Sequence, residues 1–159
     1  MGSASLDVIN ARTYNAIIRR KLKELSKTMF DSIRRYFQKE KPAFKSLKAF
    51  PHKDKYFYRV APWDWLTDKH IHVYDPHNPR VVTMDDWPQL IFLDANGKLT
   101  VSEYVDYMAE CYSSTIPKKL DETIIHELTA LLDMKLIEYS STKKELDAKF
   151  QNPISSQKN

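Results

Sequence analysis

Histidines and acids at fixed steps are where chemistry would sit in this chain. The run "KHIHVYDPH" (69–77) places His70 and His72 two residues apart. On a strand both imidazoles point to one face, with Tyr74 beside them. Asp75 and His77 follow in a turn. Imidazoles with a carboxylate suit zinc or iron, so His70, His72 and His77 are the candidate metal ligands. The same run also reads as a strand with Ile71 and Val73 inward and polar residues outward. That plainer reading leaves no metal and no other cofactor.

A second stretch, "LDANGKLTVSE" (93–103), has the outline of a calcium loop. With Gly97 at loop position 6, Asn96 falls at 5, Asp94 at 3, Leu99 at 8 and Glu103 at 12. Position 1 falls on Phe92, which has no oxygen to offer. Asp94 and Glu103 are the only carboxylates. The expectation is therefore an inter-helix turn. Asn96-Gly97 ends one helix, because glycine tolerates positive φ. Thr100 and Glu103 then form a T-x-x-E capping box for the next.

Nothing groups a nucleophile with a base at a recognisable spacing, so no catalytic residue is assigned and no enzyme is expected. Cys111 is the single cysteine and reads as a small core hydrophobe. Asp85-Asp86 reads as a helix N-terminus rather than an acid pair. Gly2 and Gly97 are the only glycines, which excludes glycine-rich phosphate loops. A lone cysteine, and no run near the ~20 apolar residues of a membrane span, point to a soluble, cytoplasmic protein. The start resembles a myristoylation site, but Leu6 stands where Ser or Thr is needed.

Charge divides the chain. Residues 1–60 hold 15 Lys/Arg against 5 Asp/Glu, and residues 61–159 hold 10 against 16, for an overall +4. The periodicity over 6–40 predicts one long helix. Tyr14, Ile18, Leu22, Leu25, Met29, Ile33, Tyr36 and Phe37 form its stripe. Arg19, Arg20, Lys23, Lys27, Arg34 and Arg35 lie on its basic face, the surface a nucleic acid or an acidic partner would take. The stripe also suits a homodimer. Pro42 ends this helix, and a basic linker runs to residue 55.

Strands are expected at 56–60, 70–74 and 80–84, with "PWDW" as a corner. Helices follow at 85–95, from Thr100 through "YVDYMAECY", and at 121–135, before a strand at 136–140. Residues 146–159 read as a polar tail. The fold class is α+β, mostly helical: a winged-helix-like domain over 56–145, with a small antiparallel sheet and three helices behind the long N-terminal helix.

The stretch "RVVTMDDWPQLIFLDANGKLTVSEYVDYMAECYSSTIPKKLDETIIHELTALLDMKLIEY" resembles the PqqD family, the peptide-recognition elements of peptide-modifying pathways. The resemblance covers roughly residues 70–140. It rests on Leu93, Asp94, Gly97, Thr100, Val101, Tyr104, Leu128, Leu131, Leu132, Leu136 and Ile137. It implies a non-catalytic module that captures an extended peptide at a sheet edge. Carried over by position, the peptide site is Arg80, Val81, Val82 and Thr83 with Ile125 and Thr129 of the third helix. DNA binding is the rival. The third helix sets Asp121, Glu122, Glu127 and Asp133 against Lys135, a charge that repels a duplex. A peptide or protein is thus the expected partner, with no membrane, and nucleic acid is kept as the alternative through the basic N-terminal helix.

Overall fold

The computed structural model describes residues 40–157. The expected long basic helix, its arginines and lysines and the proposed dimer stripe fall outside the described residues. Within them the architecture is α+β. Six strands are β1 (Tyr56–Arg59), β2 (Trp63–Trp65), β3 (Ile71–Tyr74), β4 (Val81–Thr83), β5 (Asn96–Thr100) and β6 (Ile137–Ser140). Five helices are α1 (Lys45–Ala49), α2 (Asp86–Asp94), α3 (Val101–Cys111), α4 (Leu120–Asp133) and α5 (Ala148–Gln151), followed by a 3-10 turn at Ile154–Gln157.

The strands form two antiparallel sheets, ordered β5-β1-β6 and β2-β3-β4. α4 packs on α1, α2, α3 and β6, and α2 also meets β1. The core between them holds Phe57, Ile91, Phe92, Val105, Ile124, Leu128, Leu131 and Ile137, all buried. Each such side chain contributes about 1.5–3 kcal/mol by leaving water.

Helix boundaries follow local chemistry. Thr100 Oγ1 accepts from Glu103 N–H at 3.2 Å, and Glu103 Oε2 accepts from Thr100 N–H at 2.8 Å, which completes the capping box. α4 ends with Lys135 at φ 57°. Leu136 N–H then bonds to Leu131 O and Lys135 N–H to Leu132 O. This is the Schellman pattern, with Leu136 and Leu131 buried against the turn.

Three segments differ from the sequence reading. "PWDW" is a strand, not a corner, because β3 offers Trp63–Trp65 a full antiparallel register. Asn96–Thr100 is a strand between helices rather than a bare turn. Tyr56 faces Thr100 while Tyr58 faces Asn96, so β5 carries a bulge. Gly97 sits in it at φ 76°, and an added Cβ would lie 2.5 Å from Lys144 O. Lastly, parts of the expected linker and tail pack on the core. Phe44 and Leu47 are buried, and Leu47 N–H donates to the buried Asp121 carboxylate at 3.0 Å.

Two buried polar side chains hold the sheets to the helices. Gln89 of α2 accepts from Ile71 N–H at 2.9 Å and donates to Lys69 O at 2.8 Å. Its carboxamide continues the ladder beyond the end of β4. Arg59 of β1 is 5% exposed. It donates to Leu93 O at 2.7 Å and Phe92 O at 3.4 Å in the last turn of α2, and to Phe150 O at 2.7 Å and Gln151 O at 3.2 Å in α5. Burial pushes its pKa down to about 10, an effect the Asp94 carboxylate partly offsets.

Two stability outcomes are expected from these contacts. Gln89→Met leaves Ile71 N–H and Lys69 O unpaired, and chemical denaturation should show a loss of about 2–3 kcal/mol. Gly97→Ala meets both the αL penalty and the Lys144 backbone, so the same measurement should show a loss of about 2–4 kcal/mol.

Candidate functional site

The sequence-derived peptide site begins at β4, which the β3–β4 turn positions. Asp75 anchors that turn. Its side chain has no exposed surface. It accepts from His77 N–H at 2.8 Å, Asn78 N–H at 3.2 Å, Asn78 Nδ2 at 3.0 Å and Arg80 Nε at 2.7 Å. These donors, led by the His77 backbone, hold the carboxyl far below the usual carboxylate range. Arg80 is thus committed to the turn through one nitrogen, while half of its side chain stays exposed.

The ladder decides which β4 groups are available. Tyr74 N–H bonds to Pro62 O, and Asp75 N–H bonds to Arg80 O. Successive residues of β3 therefore address alternate neighbours. Val73 faces β4, so Val82 opposite it spends its backbone groups inside the sheet. Val81 and Thr83 direct theirs to the outer edge. Neither has a backbone partner outside the sheet among the described residues.

The other edge of this sheet is finished differently. Asp64 Oδ1 accepts Trp65 N–H at 2.9 Å, and the Asp64 carboxylate also takes Ser155 N–H at 3.0 Å and Ser155 Oγ at 2.7 Å. The 3-10 turn lies along β2. One edge is thus covered by the 3-10 turn, and β4 is the edge left uncovered among the described residues.

The faces are equally distinct. Trp63, Ile71 and Val73 are buried on the inner face. Register places Tyr74 opposite Val81, and His72 opposite both Thr83 and Asp64, on the outer face. Leu66 joins that face through its backbone bond to His70 O. Leu66 (54% exposed), Val81 (54%) and Tyr74 (37%) are the exposed large hydrophobic residues among those described. All three share this face, and Val81 and Tyr74 border the open edge.

Ile125 and Thr129 sit elsewhere. They lie on α4, whose main neighbours are α1, α2, α3 and β6, while β4 belongs to the β2-β3-β4 sheet. Ile125 is half-buried, and the exposed Thr129 hydroxyl donates to Ile125 O at 2.7 Å. The structure brings Arg80, Val81, Val82 and Thr83 together as one turn and strand. The Leu66–Tyr74–Val81 surface was missed in the sequence. Alternation in "HIHVY" marks Tyr74 as outward, but Leu66 joins it only once Trp63–Trp65 is recognised as a strand.

The metal candidates have other partners. His70 Nδ1 lies 3.3 Å from Thr67 Oγ1, and its Nε2 lies 3.9 Å from Asp86 Oδ1. His72 Nε2 meets the Tyr74 hydroxyl at 2.8 Å. No group of three His, Cys, Asp or Glu fit to hold a metal occurs among the described residues. The calcium-loop outline is likewise consumed by structure. Asp94 accepts from the Tyr104 hydroxyl at 3.0 Å, Asn96 Oδ1 from Lys98 N–H at 3.0 Å, and Phe92 is buried. The backbone of Thr100 draws the Glu103 pKa down. Cys111 is half-buried, and its thiol donates to Tyr107 O at 3.3 Å. The acidic helix α4 is partly spent too: Asp121 is buried, and Glu122 pairs with Lys119. No helix of the described residues is long and apolar enough to cross a membrane.

Compared with protein-family models, with curated proteins and with solved structures, the chain shows no match.

The Asp75 turn has a pH signature. Its folded pKa is depressed, so its contribution is complete above the unfolded value of about 3.9 and is lost as pH falls toward the folded value. Asp75→Asn should therefore be less stable than the parent at neutral pH. In urea titrations the gap should begin to close below about pH 4. A gap that widens in acid would contradict the assigned contacts.

Proposed function

We propose that the chain is a non-catalytic peptide- or protein-binding module of PqqD-like, winged-helix-like type that takes an extended segment onto the β4 edge. The observation that carries this reading is the pairing of one edge uncovered among the described residues with one exposed apolar face. Val81 and Thr83 offer outward N–H and C=O groups in the spacing a strand accepts. Tyr74 and Val81 lie beside them, ready to pack against alternate side chains of an added strand. A long exposed apolar edge invites aggregation, but β4 is only three residues long. A short edge with an apolar flank suits a selective partner better than indiscriminate pairing.

The order of elements supports the PqqD-like reading. β3 and β4 precede α2, then β5, α3, α4 and β6 follow. The positions that carry the resemblance serve the fold, as Thr100 in the capping box and Leu131 with Leu136 in the Schellman turn illustrate. In this reading Arg80, Val81, Val82 and Thr83 hold the peptide, and Ile125 and Thr129 lie on the helix that backs the domain.

Retention from the source lysate by the tagged full chain, with and without nuclease, tests the proposal. A peptide or protein should survive nuclease and be retained at least tenfold less by Thr83→Pro. That change removes an outward donor while leaving the β3 ladder intact. Val82→Pro is unsuitable because Val82 pairs with Val73. Equal retention by the parent and Thr83→Pro overturns edge capture. Retention that collapses with nuclease moves the function to the basic residues Arg19, Arg20, Lys23, Lys27, Arg34 and Arg35.

A further inference from the structure

The β4 edge is complementary to itself. Val81 and Thr83 direct their N–H and C=O groups out of the sheet, where no backbone partner meets them among the described residues. Val82 lies midway, its own groups taken up by Val73. Two such strands set antiparallel about a two-fold axis at Val82 bring Val81 of each opposite Thr83 of the other. Both are outward residues, so each pair exchanges two hydrogen bonds and the contact makes four. A slip of one residue faces outward groups with those already used by Val82. A slip of two faces Thr83 with Pro79, which has no N–H, or Val81 with Asp85, whose carbonyl accepts from Gln89 N–H. The Val82 register alone pairs every outward group.

Side chains agree with this direction. Arg80 stands at the start of β4 with half of its side chain exposed. Asp85 and Asp86 follow its end, and both are exposed. Antiparallel pairing sets Arg80 opposite Met84 of the second copy, beside these acids, at both ends of the contact. Parallel pairing would align Arg80 with Arg80 and acids with acids, which repel. Arg80 gives its Nε to Asp75, which offsets part of its charge. The backbone bonds therefore supply the attraction and the charges select the direction. Val82, half-buried, meets Val82 across the axis, and the exposed Val81 meets the Thr83 methyl. Such β-branched cross-strand pairs are favourable.

We propose that β4 is a self-recognition edge, on which a second copy of this chain pairs through Val81–Thr83 to form a two-fold dimer. The two three-stranded sheets then join into one of six strands. The edge is three residues long, and such a contact buries far less than the ~1,000 Å² of a stable interface. The dimer is therefore weak and reversible. It covers the edge against indiscriminate pairing. This inference rests on the open edge and not on peptide capture, which competes for the same groups.

Sedimentation equilibrium and amide exchange of the full chain, without ligand, read the proposal. A dimer should grow in between about 10 μM and 1 mM. Over that range the Val81 and Thr83 amides should slow at least threefold, while the Val82 amide, already bonded within the sheet, should not change. Thr83→Pro removes two of the four bonds and should weaken association at least tenfold. Asp85→Asn combined with Asp86→Asn keeps the helix start and should weaken it about twofold to threefold. A monomer at every concentration overturns the proposal. So does a dimer in which Val81 and Thr83 exchange at one rate throughout, a result read on the parent chain whatever the variants do. Association unchanged by the two asparagines overturns the assigned direction. Lysate retention at low micromolar chain, where it is monomeric, tests peptide capture separately, so either reading can fail alone.

Discussion

A single buried cation ties this domain together. Arg59 enters the interior from β1, where removal from water costs several kcal/mol for an isolated ion. The fold offsets that cost by placing the guanidinium at the C-terminal end of α2. There the Phe92 and Leu93 carbonyls point out of the helix with negative partial charge. Phe150 and Gln151 supply the remaining acceptors. One side chain thus satisfies a helix end and fastens the C-terminal segment. Asp94, which adds favourable charge, in turn accepts from Tyr104 of α3.

The arrangement also sets the fate of the second sheet. Because Arg59 and Trp63 hold Phe150 O, the chain after α5 runs along β2, and Ser155 reaches Asp64. Asp64 then serves two ends, its own strand's Trp65 N–H and the segment's Ser155. Gln89 fastens the β3 end of the sheet to α2. These contacts spend polar groups along β2 and at the start of β3, and among the described residues they leave the short β4 with outward groups free. An asymmetric sheet, one edge sealed by the 3-10 turn and the other open among the described residues beside Tyr74 and Val81, is the feature from which the binding reading grows.

Elements governed by neighbours in sequence were legible in advance. The capping box needed only Thr100 and Glu103 at a spacing of three. Helical period put Ile124, Leu128, Leu131 and Leu132 on one face of α4, and all but the half-buried Leu132 are buried. The alternation of Ile71 and Val73 set the inward face of β3. The rejection of a calcium loop rested on Phe92, an apolar residue where an oxygen was required, and Phe92 lies in the core. Residues 80–84 were read as the return strand, and β4 occupies Val81–Thr83 of them. β2 was not legible, since three residues behind a proline carry too little alternation to outweigh the corner reading. Gly97 was assigned its positive φ, but its bulge depends on β1 lying alongside.

The sequence by itself determined the described secondary elements with strong local period and their caps. Those properties depend on contacts three or four residues apart, which one chain displays directly. The tertiary structure decided what each long-range polar group would meet. Nothing near Arg59 in sequence announces carbonyls more than thirty and ninety positions away. Nothing near Asp64 announces Ser155. Which edge of a sheet stays open depends on where the distant end of the chain comes to rest. That path is chosen by the need to satisfy buried donors, a constraint that exists only once the core has formed.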